Sequence, residues 1–187
     1  MEKRKPLLFV TSNRHKFNEV RKVLAEYGIP LKQRHMDFIE SSTLSIGEEA
    51  RRKAKTAYEK YRQPLITEDT GFYFRAYKNF PGSNAKEMFN ALGFDGLFRL
   101  LDGKPRSAFA KVAICHISSK GKYKTFTGKL EGKIAERAYR PSGHRMPYEH
   151  IFIPRGRKKP MVQMTRTEKN KISHRALAAR KLCGFLS

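Results

Sequence analysis

Residues 7–28 constrain the fold more than any other part of this sequence. The apolar run Leu7-Leu8-Phe9-Val10 stops at Thr11-Ser12-Asn13, and Phe17, Val20, Leu24 and Tyr27 then recur at helical spacing until Gly28. A short strand, a loop and an amphipathic helix are the expectation. Such a unit turns backbone N–H groups and hydroxyls toward a helix start, where an anion is favoured. The other reading is that Ser12 or Asn13 serves only as an N-cap.

The rest of the chain continues to mix the two periods. Glu48 to Tyr61 reads as a highly charged helix with Ala50, Ala54, Ala57 and Tyr58 on one face. Leu65-Ile66 reads as a short strand ending at the acidic pair Glu68-Asp69, directly before Thr70-Gly71. Acids at a strand end before a glycine can hold Mg²⁺ near a phosphate, because hard cations prefer carboxylate oxygens; a turn with solvated acids has the same signature. Pro81-Gly82 marks a turn, followed by one helix through Met88, Phe89 and Leu92 and a second from Gly96 to Leu101. Ala108 to Ile117 and Tyr123 to Ile134 form a predicted hairpin with Gly121 in its turn. Pro141 to Pro147 reads as irregular and Ile151 to Ile153 as a last short strand. Thr165-x-x-Glu168 has the capping-box pattern, and Ile172, Ala176, Ala179 and Leu182 mark the face of the last helix.

At 187 residues the chain suits one folding unit, 1–187, possessing two lobes. Its 40 Lys and Arg against 17 Asp and Glu leave a formal charge of +23, which points to an anionic partner. Basic composition acquired in a hot or salty habitat is the alternative, although ion-pair networks would enrich Glu as well. Cys115 and Cys183 have no metal or redox spacing and are expected to be buried. The opening residues lack the apolar run of a signal peptide, and no stretch approaches a membrane span. A soluble, cytoplasmic protein that does not enter membranes is the expectation.

Three separated segments resemble, in order, motifs of the inosine/xanthosine triphosphate pyrophosphatases. Thr11-Ser12-Asn13-Arg14-His15-Lys16-Phe17-Asn18-Glu19-Val20 is similar to the family's T-x-N-x-x-K-x-x-E-[VIL]. Glu68-Asp69-Thr70-Gly71, with Pro81-Gly82 downstream, is similar to its [DE]-D-[ST]-G and following P-G. Glu168-Lys169-Asn170 and Ser173-His174-Arg175 are similar to its E-K-N-x-x-S-H-R. Glu48 and Lys53 also match its E-N-A-x-x-K-A.

The resemblance implies an α/β fold, an elongated mixed β-sheet with flanking helices and two lobes around a central nucleotide cleft, usually as a homodimer. It implies that Thr11, Asn13, Lys16 and Lys53 bind phosphate, and that Glu48, Glu68 and Asp69 surround Mg²⁺. Asp69 would activate the attacking water, with Lys53 as the second catalytic residue. Tyr148, Glu149, Lys169, Ser173, His174 and Arg175 would face the base, with His174 and Arg175 reading a 6-oxo purine edge. The reaction implied is cleavage of a deaminated purine nucleoside triphosphate to monophosphate and pyrophosphate.

The sequence departs from this pattern before its last strand. Where the family has G-F-G-[YW]-D-P, the chain has Arg145-Met146-Pro147-Tyr148-Glu149-His150, and Glu49 stands where the family has Asn. The basic run Arg155-Gly156-Arg157-Lys158-Lys159 follows, and Tyr139-Arg140 and Tyr148 interleave aromatics with cations. These features, with the net charge, raise a second reading: the same fold, catalytically altered, binding RNA and associated with the ribosome.

Overall fold

The computed structural model describes residues 5–39, 41, 43–139 and 146–187. Most of the stretch expected to be irregular, Pro141 to Arg145, and Arg140 lie outside the described residues.

The opening unit forms as its periodicity predicts: β1 (Leu7–Val10) is buried throughout and leads into α1 (Arg14–Glu26). Asn13 is the N-cap, its side chain accepting from the N–H groups of His15 and Lys16 at 3.0 and 3.1 Å. α1 ends at Gly28, whose φ of +65° suits glycine. The chain then returns as β2 (Leu31–Arg34), parallel to β1.

Next come α2 (Ile46–Tyr61), β3 (Leu65–Phe74), β4 (Phe80–Gly82) and α3 (Ala85–Leu100). Gly93, at φ +61° and ψ −167°, breaks α3 into the two helical pieces that the sequence suggests. β5 (Ser107–Ile117), β6 (Tyr123–Ile134) and β7 (Phe152–Pro154) follow, and α4 (Arg166–Ile172) and α5 (His174–Leu186) close the chain. The sheet runs β2-β1-β3-β5-β6-β7, with β4 paired to β3. Its β2, β1 and β3 neighbours are parallel and the remaining pairs antiparallel, so the sheet is mixed.

Two sequence expectations change. β3 does not end before the acidic pair: it pairs with β5 from Leu65 opposite Ile117 to Phe74 opposite Ala108, so Glu68 and Asp69 are mid-strand residues. Pro81-Gly82 belongs to β4 and is not merely a turn.

Helices cover both faces of the sheet. α1 and α5 bury Val20, Leu24, Ala178 and Leu182 against Ile66, Val112 and Ile114. α2 buries its alanines against Leu65, Ala113 and Cys115 on the opposite face. Farther along, α3 packs Met88 and Leu97 with Phe72, Phe74 and Phe152. The close seat of α5 depends on Gly128 of β6, where an added Cβ would lie 2.0 Å from the carbonyl oxygen of His174. Cys115 and Cys183 are both buried, as expected. Among the described residues no helix is long and apolar enough to cross a membrane.

Candidate active site

Residue alternation along β3 separates its two acids. Glu68 points to the α1/α5 face and Asp69 to the α2 face, since successive strand residues project to opposite sides. Both line a cleft of about 600 Å³, together with Thr11, Asn13 and Lys16 from the β1–α1 junction and His174 and Arg175 from the start of α5. Lys53, Tyr148 and Glu149 line it as well.

On the α2 side, the Lys53 ammonium lies 2.8 Å from Asp69 Oδ1 and 3.7 Å from Glu49 Oε1. All three residues are buried. Glu49 also accepts from Arg52, at 2.6 and 2.9 Å. Glu48, by contrast, is turned to solvent and closes the capping box of α2, with Oε2 accepting from the Ser45 N–H at 2.9 Å and the Ser45 hydroxyl at 2.6 Å. The structure thus places the motif's presumed metal acid at the helix start, outside the cleft lining, because a first-turn Glu three residues after a Ser N-cap satisfies orphan backbone donors.

On the α1/α5 side a chain of buried charges joins the β1–α1 junction to the start of α5 and to Glu149. Lys16 Nζ is 2.8 Å from Glu68 Oε1, and Arg175 Nε donates to Glu68 Oε2 at 2.6 Å. The other guanidinium nitrogens donate to Glu19 at 2.6 Å and to Thr70 at 3.1 Å. Glu19 also meets Lys169 at 2.5 Å, and Lys169 in turn binds Glu149. Burial alone pushes the Glu68 carboxyl up, but the charges of Arg175 and Lys16 outweigh it and hold the carboxyl far below its ordinary range. Burial likewise opposes ionisation of Glu19, yet Arg175 and Lys169 hold it down at about 2. The motif reading gives Glu19 no role, although the residue sits three positions after Lys16, on the same helical face.

His174 is buried, and burial followed by the Arg175 charge pulls its imidazole down to about 3, so the ring is neutral at pH 7. Among the described residues its Nδ1 has no hydrogen-bond partner, and neither does Glu149 Oε2; both residues line the cleft. Ser173 serves as the α5 N-cap, accepting from the Ala176 N–H at 3.1 Å. Tyr148 stacks on Phe72 with ring centroids 4.4 Å apart and donates its hydroxyl to the Ala85 carbonyl at 2.8 Å. Lys169 and Ser173 therefore act behind the cleft wall, whereas Tyr148 and Glu149 form part of it. Lys86, which motif reading passed over, also lines the cleft; a lone cation in the first turn of the helix after Pro81-Gly82 is its only sequence signal.

The three acids Glu48, Glu68 and Asp69 differ in what they could offer Mg²⁺. Among the described residues no cluster of three His, Cys, Asp or Glu side chains forms a cage. Mg²⁺ needs none when one or two carboxylates share it with substrate phosphates. Asp69 meets that condition, whereas both Glu68 oxygens are taken by Arg175 and Lys16.

Comparisons with known proteins show the family and the fold. The sequence profile of the Ham1 family matches residues 7–185. A dITP/XTP pyrophosphatase of Hyperthermus butylicus is 36% identical over 96% of this chain and 94% of its own length. An inosine triphosphate pyrophosphatase of Schizosaccharomyces pombe is 33% identical, again over 96% of this chain and 94% of its own. The structure of a HAM1 protein from Coxiella burnetii superposes with a TM-score of 0.80 at 23% identity, covering 96% of this chain and 98% of that one, which supports the same fold.

Proposed function

The chain belongs to the Ham1 family, and we propose that its cleft hydrolyses deaminated purine nucleoside triphosphates, dITP, ITP or XTP, to monophosphate and pyrophosphate. The observation that carries this reading is the buried Lys53–Asp69 pair set across one cleft from the Asn13–Lys16 helix start. A triphosphate fits the helix start, where Lys16 and the positive end of the α1 dipole meet its charge. Asp69 orients a water toward the α phosphorus and accepts its proton; the bond to the bridging oxygen breaks, and pyrophosphate leaves. Lys53 neutralises charge developing on the phosphoryl oxygens.

Mg²⁺, held by Asp69 with phosphate oxygens, would add further neutralisation of the triphosphate when bound. At the base end, the neutral His174 ring offers a nitrogen to a purine 6-oxo edge, while Arg175, held by Glu68 and Glu19, fixes the wall behind it. A 6-amino group would present a donor where the 6-oxo group accepts. The assembly we attach to this activity is a homodimer of two-lobed single domains.

The reading in which RNA binding has replaced catalysis is not favoured, since relatives named as pyrophosphatases match over nearly the whole chain. The deciding measurement is pyrophosphate release from a panel of ITP, dITP, XTP, ATP and GTP with Mg²⁺. Turnover of the 6-oxo, deaminated substrates above ATP is expected, and a folded protein inert toward the whole panel would overturn the proposal.

A further inference from the structure

The basic run after β7 does not join the nucleotide cleft. The Arg155 N–H donates to the Glu131 carbonyl at 2.8 Å and the Arg157 N–H to the Pro154 carbonyl at 3.0 Å, while Gly156 takes φ +76°. The turn is thereby fixed against the end of β6. Arg155 and Arg157 line a separate groove of about 670 Å³ with Arg75, Ser107 and Lys133, and no residue of it lines the nucleotide cleft.

The groove's charge is unbalanced. Glu131 is the acid in its lining, and it is already engaged by Arg75 at 2.9 Å and Lys129 at 2.6 Å. Among the described residues Lys133, Arg155 and Arg157 are exposed and have no acid within ion-pair distance. Glu168 feels the Arg157 charge but is bound into the capping box of α4.

The same sheet face extends this charge. Register sets Lys111 directly opposite Lys129, and like charges so placed on antiparallel strands cost stability. An anion lying over the pair would relieve that cost. A row of cations thus runs from Lys111 and Lys129 past Arg75 and Lys133 to Arg155 and Arg157.

From this placement we propose that the groove and its strand face bind the phosphodiester backbone of nucleic acid, independently of catalysis. A polymer of phosphates suits a row spanning two strands and a turn better than a single nucleotide does. A second copy docked on the same face by a two-fold axis would set these cations against each other. Phe109 lies beneath Lys129 at 4.1 Å and Arg75 at 5.2 Å, so its ring offers no open platform for bases. The contact is therefore with backbone and is insensitive to sequence.

The test is fluorescence anisotropy with a labelled mixed-sequence single-stranded RNA and the same sequence as duplex DNA, titrated between about 50 and 200 mM salt. Substituting Lys133→Ser, Arg155→Ser and Arg157→Ser together is expected to weaken binding at least ~10-fold and to lower the single-strand log–log salt slope by roughly 2. Pyrophosphate release by that variant should equal wild type, which also reports that it is folded. Wild-type affinity and slope in the variant would overturn the proposal, as would no binding by the native protein at ~150 mM salt. Capture by phosphatidylserine vesicles but not by either nucleic acid would overturn it in favour of a membrane surface. A changed oligomeric state by light scattering, with nucleic-acid binding intact, would overturn it in favour of a second copy.

Discussion

Lys53 Nζ stands 2.8 Å from Asp69 Oδ1 and 3.7 Å from Glu49 Oε1, so one buried ammonium is shared by carboxylates from a strand and from its own helix. Removing either member should have different effects. Asp69→Asn retains the shape and leaves Lys53 beside Glu49; turnover is expected to fall by about 10²–10⁴-fold while the fold persists. Lys53→Met leaves two buried carboxylates without their shared cation, so it should lower both turnover and melting temperature. Pyrophosphate release measured beside thermal denaturation separates the two, and an active Asp69→Asn protein would remove Asp69 from the chemistry.

Adjacent residues Glu48 and Glu49 should behave as opposites. Glu48→Ala breaks the capping box and is expected to lower stability slightly, with turnover near wild type. Glu49→Ala strips a buried partner from Arg52 and Lys53; it should cost about 2 kcal/mol or more and depress turnover by misplacing Lys53. Urea titrations and initial rates on the two variants test this. An inactive but stable Glu48→Ala protein would return a metal role to Glu48.

Acid should destabilise the fold in two stages. His174 is pulled down to about 3 by burial, so in the unfolded chain it binds a proton below its ordinary 6.5 while the folded ring stays neutral; its contribution is full above pH 6.5 and declines as pH falls from there. Glu19 is held at about 2 against an ordinary 4.5, so its contribution is full above pH 4.5 and disappears toward pH 2. The Glu19 share amounts to roughly 3 kcal/mol. Melting temperature followed from pH 7 to pH 3 should fall throughout, and His174→Asn should flatten the upper part. A melting temperature constant from pH 7 to pH 4 would contradict the His174 assignment, and one constant from pH 4 to pH 3 that of Glu19.

What the sequence made legible was locally encoded. The strand–loop–helix at residues 7–28, the β5–β6 hairpin around Gly121 and the capping box of Thr165 each follow from side chains within a few positions of one another. β2 was missed because Leu31-Lys32-Gln33-Arg34 lacks an apolar run, and it forms on the template that β1 provides. The acidic pair was expected at a strand end, since the pairing that carries β3 past Asp69 comes from β5, some forty positions on. The motif match brought Asn13, Lys16, Lys53 and Asp69 to one cleft, but the choice between Glu48 and Glu49 turns on a single step around a helix. Glu19 gains its importance only when α1 meets α4 and α5 in space.

Gly128→Ala should disable the site from behind. Its Cβ would meet the His174 carbonyl oxygen at 2.0 Å and the Ala178 nitrogen at 2.9 Å, both backbone atoms that cannot turn aside. Helix α5 must shift, at a cost of about 3 kcal/mol, and His174 and Arg175 shift with it. Where the variant is still folded, discrimination between ITP and ATP should narrow; full wild-type selectivity would show that α5 accommodates the methyl group.

That same seat fixes when the protein can begin to work. The Asn13–Asp69 side of the cleft is written in the first seventy or so positions, yet its opposite wall rides on α4 and α5, about a hundred positions further on. Until α4 and α5 dock, Glu68 has Lys16 without Arg175, and Glu19 lacks both Arg175 and Lys169, so two of the three cations that these acids meet are missing. Docking of α4 and α5 supplies Lys169 and Arg175, so the cleft is complete only when both helices are seated.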